Sequence, residues 1–529
     1  MKKRLLSTLL ATLLVGSLTA CGSTTTQPEP SKQIDSDVID STTLAGSNVT
    51  SVEVAETKAP KYVFLFIGDG MSYPQFQSAS DYLGSIADSD YLQAEPSVKD
   101  RQGAKLDGPQ YLNFMQFPVA GSAVTYDSCS FAPDSASTAT SIATGYKTYS
   151  GMINTDESGT TTYETITEKL HTQKNWKVGV ISSVNLNHAT PAAFYAHQTS
   201  RNNYYEIGVE LVESGFEYFA GGDLKKRTGN DKDKQDLYEL ATEAGYKVIT
   251  TQAEAESVTA ASGKVILIDE HLADSAAMNY ELDRIDSEWA LADYVQKGIE
   301  VLDNETGFFL MCEGGKIDWA CHANDAGSSV SDVLALADAV QVAIDFANDH
   351  ADETLILVTG DHETGGLSIG YAGTDYDTYL SNLTNQKISY AQFDEQYIAN
   401  YKENGTSFED AMKDVEVLFG LKLNGDADDK LVLTEYEANR LKDSYELTMN
   451  GADASTYTQE QSILYGGYNP FSVTVTHILN NKSGISFTSY SHTGLPVAVF
   501  AQGMGEDNFK GFYDNTQIYS KLATMLDVK

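Results

Sequence analysis

Five short apolar runs, each joined to a polar, glycine-rich or histidine-bearing cluster, limit what this chain can fold into more than any other feature. Tyr62-Val63-Phe64-Leu65-Phe66 runs into "IGDGM", and Lys177-Val178-Gly179-Val180-Ile181 into "SSVNLNHATP". Phe308-Phe309-Leu310-Met311 runs into "CEGGKIDWACH", Leu355-Ile356-Leu357-Val358 into "TGDHETGG", and "SYSHTG" precedes Val497-Ala498-Val499-Phe500. Short runs rich in aromatic and β-branched residues, bounded by glycine, read as strands covered on both faces. Between them, the stretches 163–173, 286–302 and 329–349 repeat apolar residues at threes and fours, the helical period. Strand, helix, strand in this order predicts an α/β fold with a mostly parallel central sheet flanked by helices on both faces.

Open sheets of this kind bind ligands beyond the carboxyl ends of their strands. One edge would therefore gather Asp69, His188, Glu313, Asp318, His322, Asp361 and His362. Residues 368–475, rich in Tyr, Asn and Asp, break the rhythm and read as an insertion, either a cap or an oligomer contact. The core then has two parts, 60–367 and 476–529.

Asp318 and His322 are four apart, which on a helical turn puts both on one face, where they either grip a cation or form a plain surface pair. Asp361 and His362 are adjacent in a glycine-flanked loop. Carboxylate and imidazole donors suit Zn²⁺, whereas the oxygen donors Glu313 and Thr190 suit Mg²⁺, so two kinds of ion are implied. In "PDSASTATSIAT", Ser135 opens a helix of small residues. Its free N–H groups favour phosphate, although Asp134 or Ser135 also reads as a simple cap. Arg201, eleven residues after Thr190, is either structural or a fork for phosphoryl oxygens.

The N-terminus is separate from this core. Lys2-Lys3-Arg4, the apolar stretch Leu5 to Ser17 and Leu18-Thr19-Ala20 form an export signal over 1–20. Cys21 follows directly, in the position of a bacterial lipoprotein anchor; an ordinary secretory signal beside a chance cysteine is the alternative, and both export the chain. Residues 21–59, rich in Ser, Thr, Pro and Glu, read as a flexible tether. The expected location is a lipid-anchored lipoprotein facing the periplasm or cell exterior, with the anchor as its sole membrane contact. The net charge of −40 excludes nucleic acid and bare anionic membranes as partners, and it leaves anion chemistry to local cations. Besides Cys21, Cys129, Cys312 and Cys321 allow at most one disulfide.

Taken together, "FIGDGM", "DSAS", "HATPAA…HQTSR", "EGGKIDWACH", "GDHETGG" and "SHTG" resemble the alkaline phosphatase family, in its order, over roughly 60–367 and 485–525. The resemblance implies a binuclear zinc enzyme with a nearby magnesium, which hydrolyses phosphate monoesters through a phosphoserine and releases inorganic phosphate. It puts Ser135 on the nucleophile, also a metal ligand, and Arg201 on the phosphate-binding arginine. Asp318, His322 and His492 fall on one zinc; Asp361, His362 and Asp69 fall on the other. Asp69 also bridges to the magnesium, with Thr190 and Glu313. His188 and Trp319, counted with Arg201 as substrate-binding residues, stand where one well-known bacterial version has Asp and Lys. An imidazole at 188 leaves the third site open to Zn²⁺, and Trp319 removes a positive charge near the phosphate. Family habit implies a homodimer. Rival readings are a related metal-dependent phosphodiesterase and a non-enzymatic cation-binding surface lipoprotein.

"NGDADDKLVLTE" sets Asn424, Asp426, Asp428 and Glu435 at positions 1, 3, 5 and 12 of an EF-hand-like loop, with Asp429 in place of the turn glycine. A calcium site and a solvated acidic turn are both open readings there.

Overall fold

The computed structural model describes residues 59–87, 106–426 and 428–529. The signal segment, Cys21 and residues 21–58 of the expected tether lie outside them. In chain order the strands are β1 Tyr62–Gly68, β2 Val119–Val124, β3 Lys177–Asn185, β4 Tyr218–Gly222, β5 Lys247–Ile249, β6 Val265–Ile268, β7 Phe308–Gly314 and β8 Thr354–Gly360, followed by the short β9 Glu363–Thr364, β10 Ser368–Ile369, β11 Ile485–Ser486 and β12 His492–Thr493, and then β13 Val497–Gly503 and β14 Gly511–Asp514. Ten of them form one sheet in the order β14-β2-β13-β8-β1-β7-β3-β4-β6-β5. From β8 to β5 every neighbouring pair is parallel, and β13 alone runs against its neighbours β8 and β2. That reversal explains why "SHTG" precedes its strand: β13 begins at the edge where the parallel strands end.

Alternation along β1 divides the core into two. Tyr62, Phe64 and Phe66 join one apolar cluster, whereas Val63, Leu65 and Ile67 join the other. Each such side chain, fully buried, contributes roughly 1.5–3 kcal/mol. The first cluster is covered by helices Tyr73–Ala87, Leu291–Leu302 and Ala326–Asp349; the second by Ser135–Thr144, Ile166–Lys174, Tyr204–Ser214 and Thr516–Met525. Five of the ten sheet strands are the apolar runs of the sequence. Among the others, β2 (VAGSAV) and β4 (YFAGG) carry glycine and small residues, and β5 has only three residues, so their patterns are weak.

Between β10 and β11 the described residues form helices and turns and add no strand to the main sheet. Leu383, Phe393, Met412, Phe419 and Leu441 from this stretch join the cluster that holds Phe64. The strands also run further than their apolar cores: β7 continues to Gly314, so Glu313 lies within a strand and not beyond it.

Candidate active site

Strand register delivers the first half of the site. Gly68 pairs with Gly314 on one side and Gly360 on the other, so Asp69 and Asp361 leave adjacent strands at the same level. Gly70, at φ +71, donates its N–H to Asp361 Oδ1 (3.2 Å). A Cβ at Gly70 would lie 2.8 Å from Thr364 Oγ1, so this turn requires glycine both for its backbone angle and for its crowding. His362 Nε2 then sits 3.3 Å from Asp69 Oδ1 and 3.4 Å from Asp361 Oδ2, with all three residues fully buried.

Ser135 reaches this group with its Oγ 3.2 Å from His362 Nε2. It is the first residue of the helix Ser135–Thr144, which Asp134 caps by accepting the Ser137 N–H (3.1 Å). The other carboxylate oxygen of Asp134 takes Arg201 Nη1 at 2.9 Å. One aspartate therefore starts the helix that carries Ser135 and also turns the guanidinium.

The second half comes from loops and a helix. Asp318 and His322 lie on one face of the helix Lys316–His322, with His322 Nε2 3.3 Å from Asp318 Oδ1. His492 arrives through the ribbon β9/β12, where it pairs with Thr364; its Nε2 is 3.5 Å from Asp318 Oδ1 and 3.1 Å from His322 Nε2. His322 Nδ1 lies 2.6 Å from the Tyr490 carbonyl and His492 Nδ1 2.6 Å from the Pro133 carbonyl. Only an N–H satisfies a carbonyl, so both Nδ1 atoms donate and the Nε2 of each ring is the nitrogen that turns inward. Two ring nitrogens and a carboxylate facing one another form a donor set for a cation.

A third set lies beside Asp69. Thr190 Oγ1 donates to Asp69 Oδ2 at 3.5 Å, and Ser182 donates to Glu313 Oε2. Among the described residues, Asp69 Oδ1, Glu313 Oε1 and His188 Nδ1 are buried without a hydrogen-bond partner. The His188 ring meets Trp319 edge-on at 5.9 Å. Burial, then the charges of Asp361, Asp318 and Glu313, pushes Asp69 far above the usual carboxylate range. Burial likewise lifts Asp361 to about 8 and Glu313 to about 7. The donor chemistry fits metals: nitrogen and carboxylate sets for zinc, and Glu313, Thr190 and Asp69 as oxygen donors for magnesium. Atoms of Asp69, Asp361 and His362 lie within 4.8 Å of one another, as do those of Asp318, His362 and His492.

The alkaline phosphatase family profile matches residues 60–528. The chain belongs to the alkaline phosphatase family. It is 28% identical over 487 residues to alkaline phosphatase 4 of Bacillus subtilis, covering 89% of this chain and 91% of that one. The cold-active alkaline phosphatase of a psychrophilic Shewanella superposes with a TM-score of 0.68 at 28% identity, over 88% of this chain and 99% of that one. An alkaline phosphatase mutant from the Antarctic bacterium TAB5, with Mg bound in its M3 site, has the same fold at 24% identity and a TM-score of 0.57, over 90% of this chain and 100% of that one. As a member of this metal-dependent family, the protein is a hydrolase and a phosphatase.

Three further residues tie the phosphatase site together, and the motifs held them without displaying their roles. Thr364 Oγ1 donates to Asp318 Oδ1 at 2.6 Å and lies 3.3 Å from His362 Nδ1, so one hydroxyl joins both halves. Thr138 Oγ1 donates to Asp361 Oδ2 at 3.3 Å. Glu363, fully buried, accepts from Gln75 (2.7 Å), from Thr493 and from the backbone of Gly366 and Leu367 (both 3.1 Å), which fixes β9 against β12. Its position in "GDHETGG" was the available signal.

Asn424, Asp426, Asp428 and Glu435 stay exposed, apart from this centre. Asp429 pairs with Lys422 at 2.8 Å, and Thr434 caps the helix Glu435–Met449. Cys129, Cys312 and Cys321 are free thiols. No helix among the described residues is long and apolar enough to cross a membrane.

Proposed function

We propose that this phosphatase hydrolyses phosphate monoesters through a phosphoserine on Ser135, with two zinc ions and one magnesium ion resident in the site. The observation that carries the reading is Ser135 Oγ, 3.2 Å from His362 Nε2, at the first position of a ten-residue helix. Asp318, His322 and His492 would hold one zinc and Asp361, His362 and Asp69 the other. Asp69, Thr190 and Glu313 would hold the magnesium, and His188 leaves that third position open to zinc. When bound, the ions lower the pKa of hydroxyl and water and offset the charge of a departing alkoxide.

The chain's own groups supply the rest. Ser135 Oγ forms its bond to phosphorus as the bond to the leaving oxygen breaks, and water later displaces the serine to release inorganic phosphate. The helix start at Ser135 offers N–H groups and a favourable dipole to the phosphoryl oxygens. Arg201, oriented by Asp134 through Nη1, keeps its remaining donors for the phosphoryl oxygens. The Nδ1–H bonds of His322 and His492 to carbonyls hold both rings in the orientation that ligation needs.

The order Leu18-Thr19-Ala20-Cys21 supports export and a lipid anchor on Cys21, and the helical stretch 368–475 supports an insertion that caps the site or joins two copies in a homodimer. A chromogenic monoester assay with and without chelator tests the central reading. Turnover should vanish with chelator and return with zinc and magnesium, and Ser135→Ala should take up no phosphate label. A preference for diesters, or metal binding without turnover, would overturn it.

A further inference from the structure

The helix that carries Asp318 and His322 also carries a buried lysine that the mechanism leaves unused. Lys316, the first residue of the helix Lys316–His322, is fully buried, and among the described residues its ammonium has no hydrogen-bond partner. The ammonium is turned to aromatic faces: Nζ lies 3.9 Å from the centroid of the Tyr280 ring and 4.7 Å from that of Trp319. Asp274, Asp332 and Asp283 balance its charge from farther off. An ammonium taken out of water without a hydrogen bond is unfavourable, and a methionine would fill similar space without that penalty. What the charge adds is attraction to two ring faces, strongest where water is excluded.

The two rings differ in what else holds them. Tyr280 is fully buried, its hydroxyl 3.4 Å from that of Tyr390, whose own N–H donates to Asp325 Oδ2 at 2.9 Å. Tyr280 is therefore a fixed wall. Trp319 is half-buried, three residues after Lys316 and so on the same side of the helix, and it meets the His188 ring edge-on at 5.9 Å.

His188 needs such a contact. Its backbone is anchored by its neighbour Asn187, fully buried, which accepts the Lys225 N–H at 2.8 Å and donates to the carbonyls of Tyr204 at 2.8 Å and Lys225 at 2.9 Å. Its ring is not anchored in this way: the His188 side chain caps no N–H of the helix that follows it, and Nδ1 is buried without a partner. Two residues on, Thr190 donates to Asp69. The order Tyr280, Lys316, Trp319, His188 is a run of contacts from a buried wall to the third set of donors.

We infer that Lys316 is a positioning residue, which through Trp319 holds the His188 imidazole in one orientation and so sets how firmly the third position keeps its ion. The inference rests on the metal-dependent phosphatase reading of the site.

The test compares wild type, Lys316→Met and Lys316→Arg, each with Trp319 and with Trp319→Ala, loaded with zinc and magnesium and then dialysed against metal-free buffer. Lys316→Met should lower the ion kept beyond two zinc per chain about tenfold and leave the two zinc in place. Lys316→Arg, which keeps a cation over the rings, should recover most of it. With Trp319→Ala, the Lys316→Met change should lose its effect, because the charge has no ring to act through. A second readout needs no metal: acrylamide quenching of the Trp319 emission, taken as the difference from the matching Trp319→Phe protein, should rise severalfold in Lys316→Met. A lysine that merely filled the core would lower the thermal midpoint and move neither readout. Full retention of the third ion in Lys316→Met, or an equal loss with Trp319 and without it, would overturn the inference and leave the phosphatase standing. If Lys316→Met fails to fold, Trp319→Ala decides: it should lose the third ion to the same extent, and full retention would overturn the inference. Wild type that keeps no third ion would overturn the three-metal reading together with it.

Discussion

Two regions of this chain gather acidic residues and treat them in opposite ways. At the sheet edge Asp69, Asp318, Asp361 and Glu313 are buried among one another. In the loop 424–435, Asp426, Asp428 and Glu435 face solvent, and Asp429 is neutralised by Lys422. The scaffold makes the difference. Paired strands in register hold Asp69 and Asp361 side by side whatever their charges prefer, whereas a surface turn lets its carboxylates separate into water. Only the first cluster carries an unmet need for cations, because buried like charges without counter-ions are strongly destabilising.

Experiment can separate the two regions, and the largest effect should come from Ser135, the proposed nucleophile. Ser135→Ala is expected to lower kcat by at least about 10³-fold, whereas Asp428→Ala in the acidic loop should leave it unchanged, both read by monoester turnover. Next, stripping metal with a chelator should lower the thermal midpoint of wild type as well as abolish turnover, since the crowded carboxylates lose their counter-charge. An unchanged midpoint would mean that the buried cluster tolerates its own charge and does not differ from the surface loop in its need for cations. Thr364→Val removes the hydroxyl between Asp318 and His362 with little change of shape. It should weaken zinc retention about 10–100-fold on dialysis while the far-UV spectrum stays the same.

Smaller effects sharpen the contrast. Trp319→Lys returns a positive charge near the phosphate site and should tighten inhibition by inorganic phosphate severalfold, measured as a competitive inhibition constant; equal constants would remove Trp319 from the account. Smallest of all, calcium should not shift the thermal midpoint through the exposed loop. A calcium-dependent rise that disappears in Glu435→Ala would show that the loop also collects a cation, and the two regions would then differ in degree only.

Much of the site was legible because its residues sit in motifs at strand ends. A strand that must be apolar on both faces leaves a sharp signal where it stops, and "GDG" and "GDHETGG" mark two such stops. The pair Asp318 and His322 was legible for a different reason, since four residues make one helical turn. Thr364, Glu363 and Asn187 were not, because a threonine, a glutamate or an asparagine in a loop looks the same whether it fixes a ligand or faces solvent. The partner of Arg201 was hidden in a similar way: Asp134 reads as a helix cap, and it is one, but its second oxygen does another task. The strands β2, β4 and β5 carry little signal in the sequence because short or small-residue segments gain their pairing from neighbours and not from their own pattern.

By itself the sequence determined the layered α/β architecture, the edge on which chemistry collects and the family to which the chain belongs, because apolar periodicity and short motifs are local properties. The tertiary structure alone decided which nitrogen of each metal-site histidine faces inward and which hydroxyl joins the two halves of the centre. Those outcomes depend on atoms distant in the chain meeting within hydrogen-bond distance, and no local pattern records such a meeting.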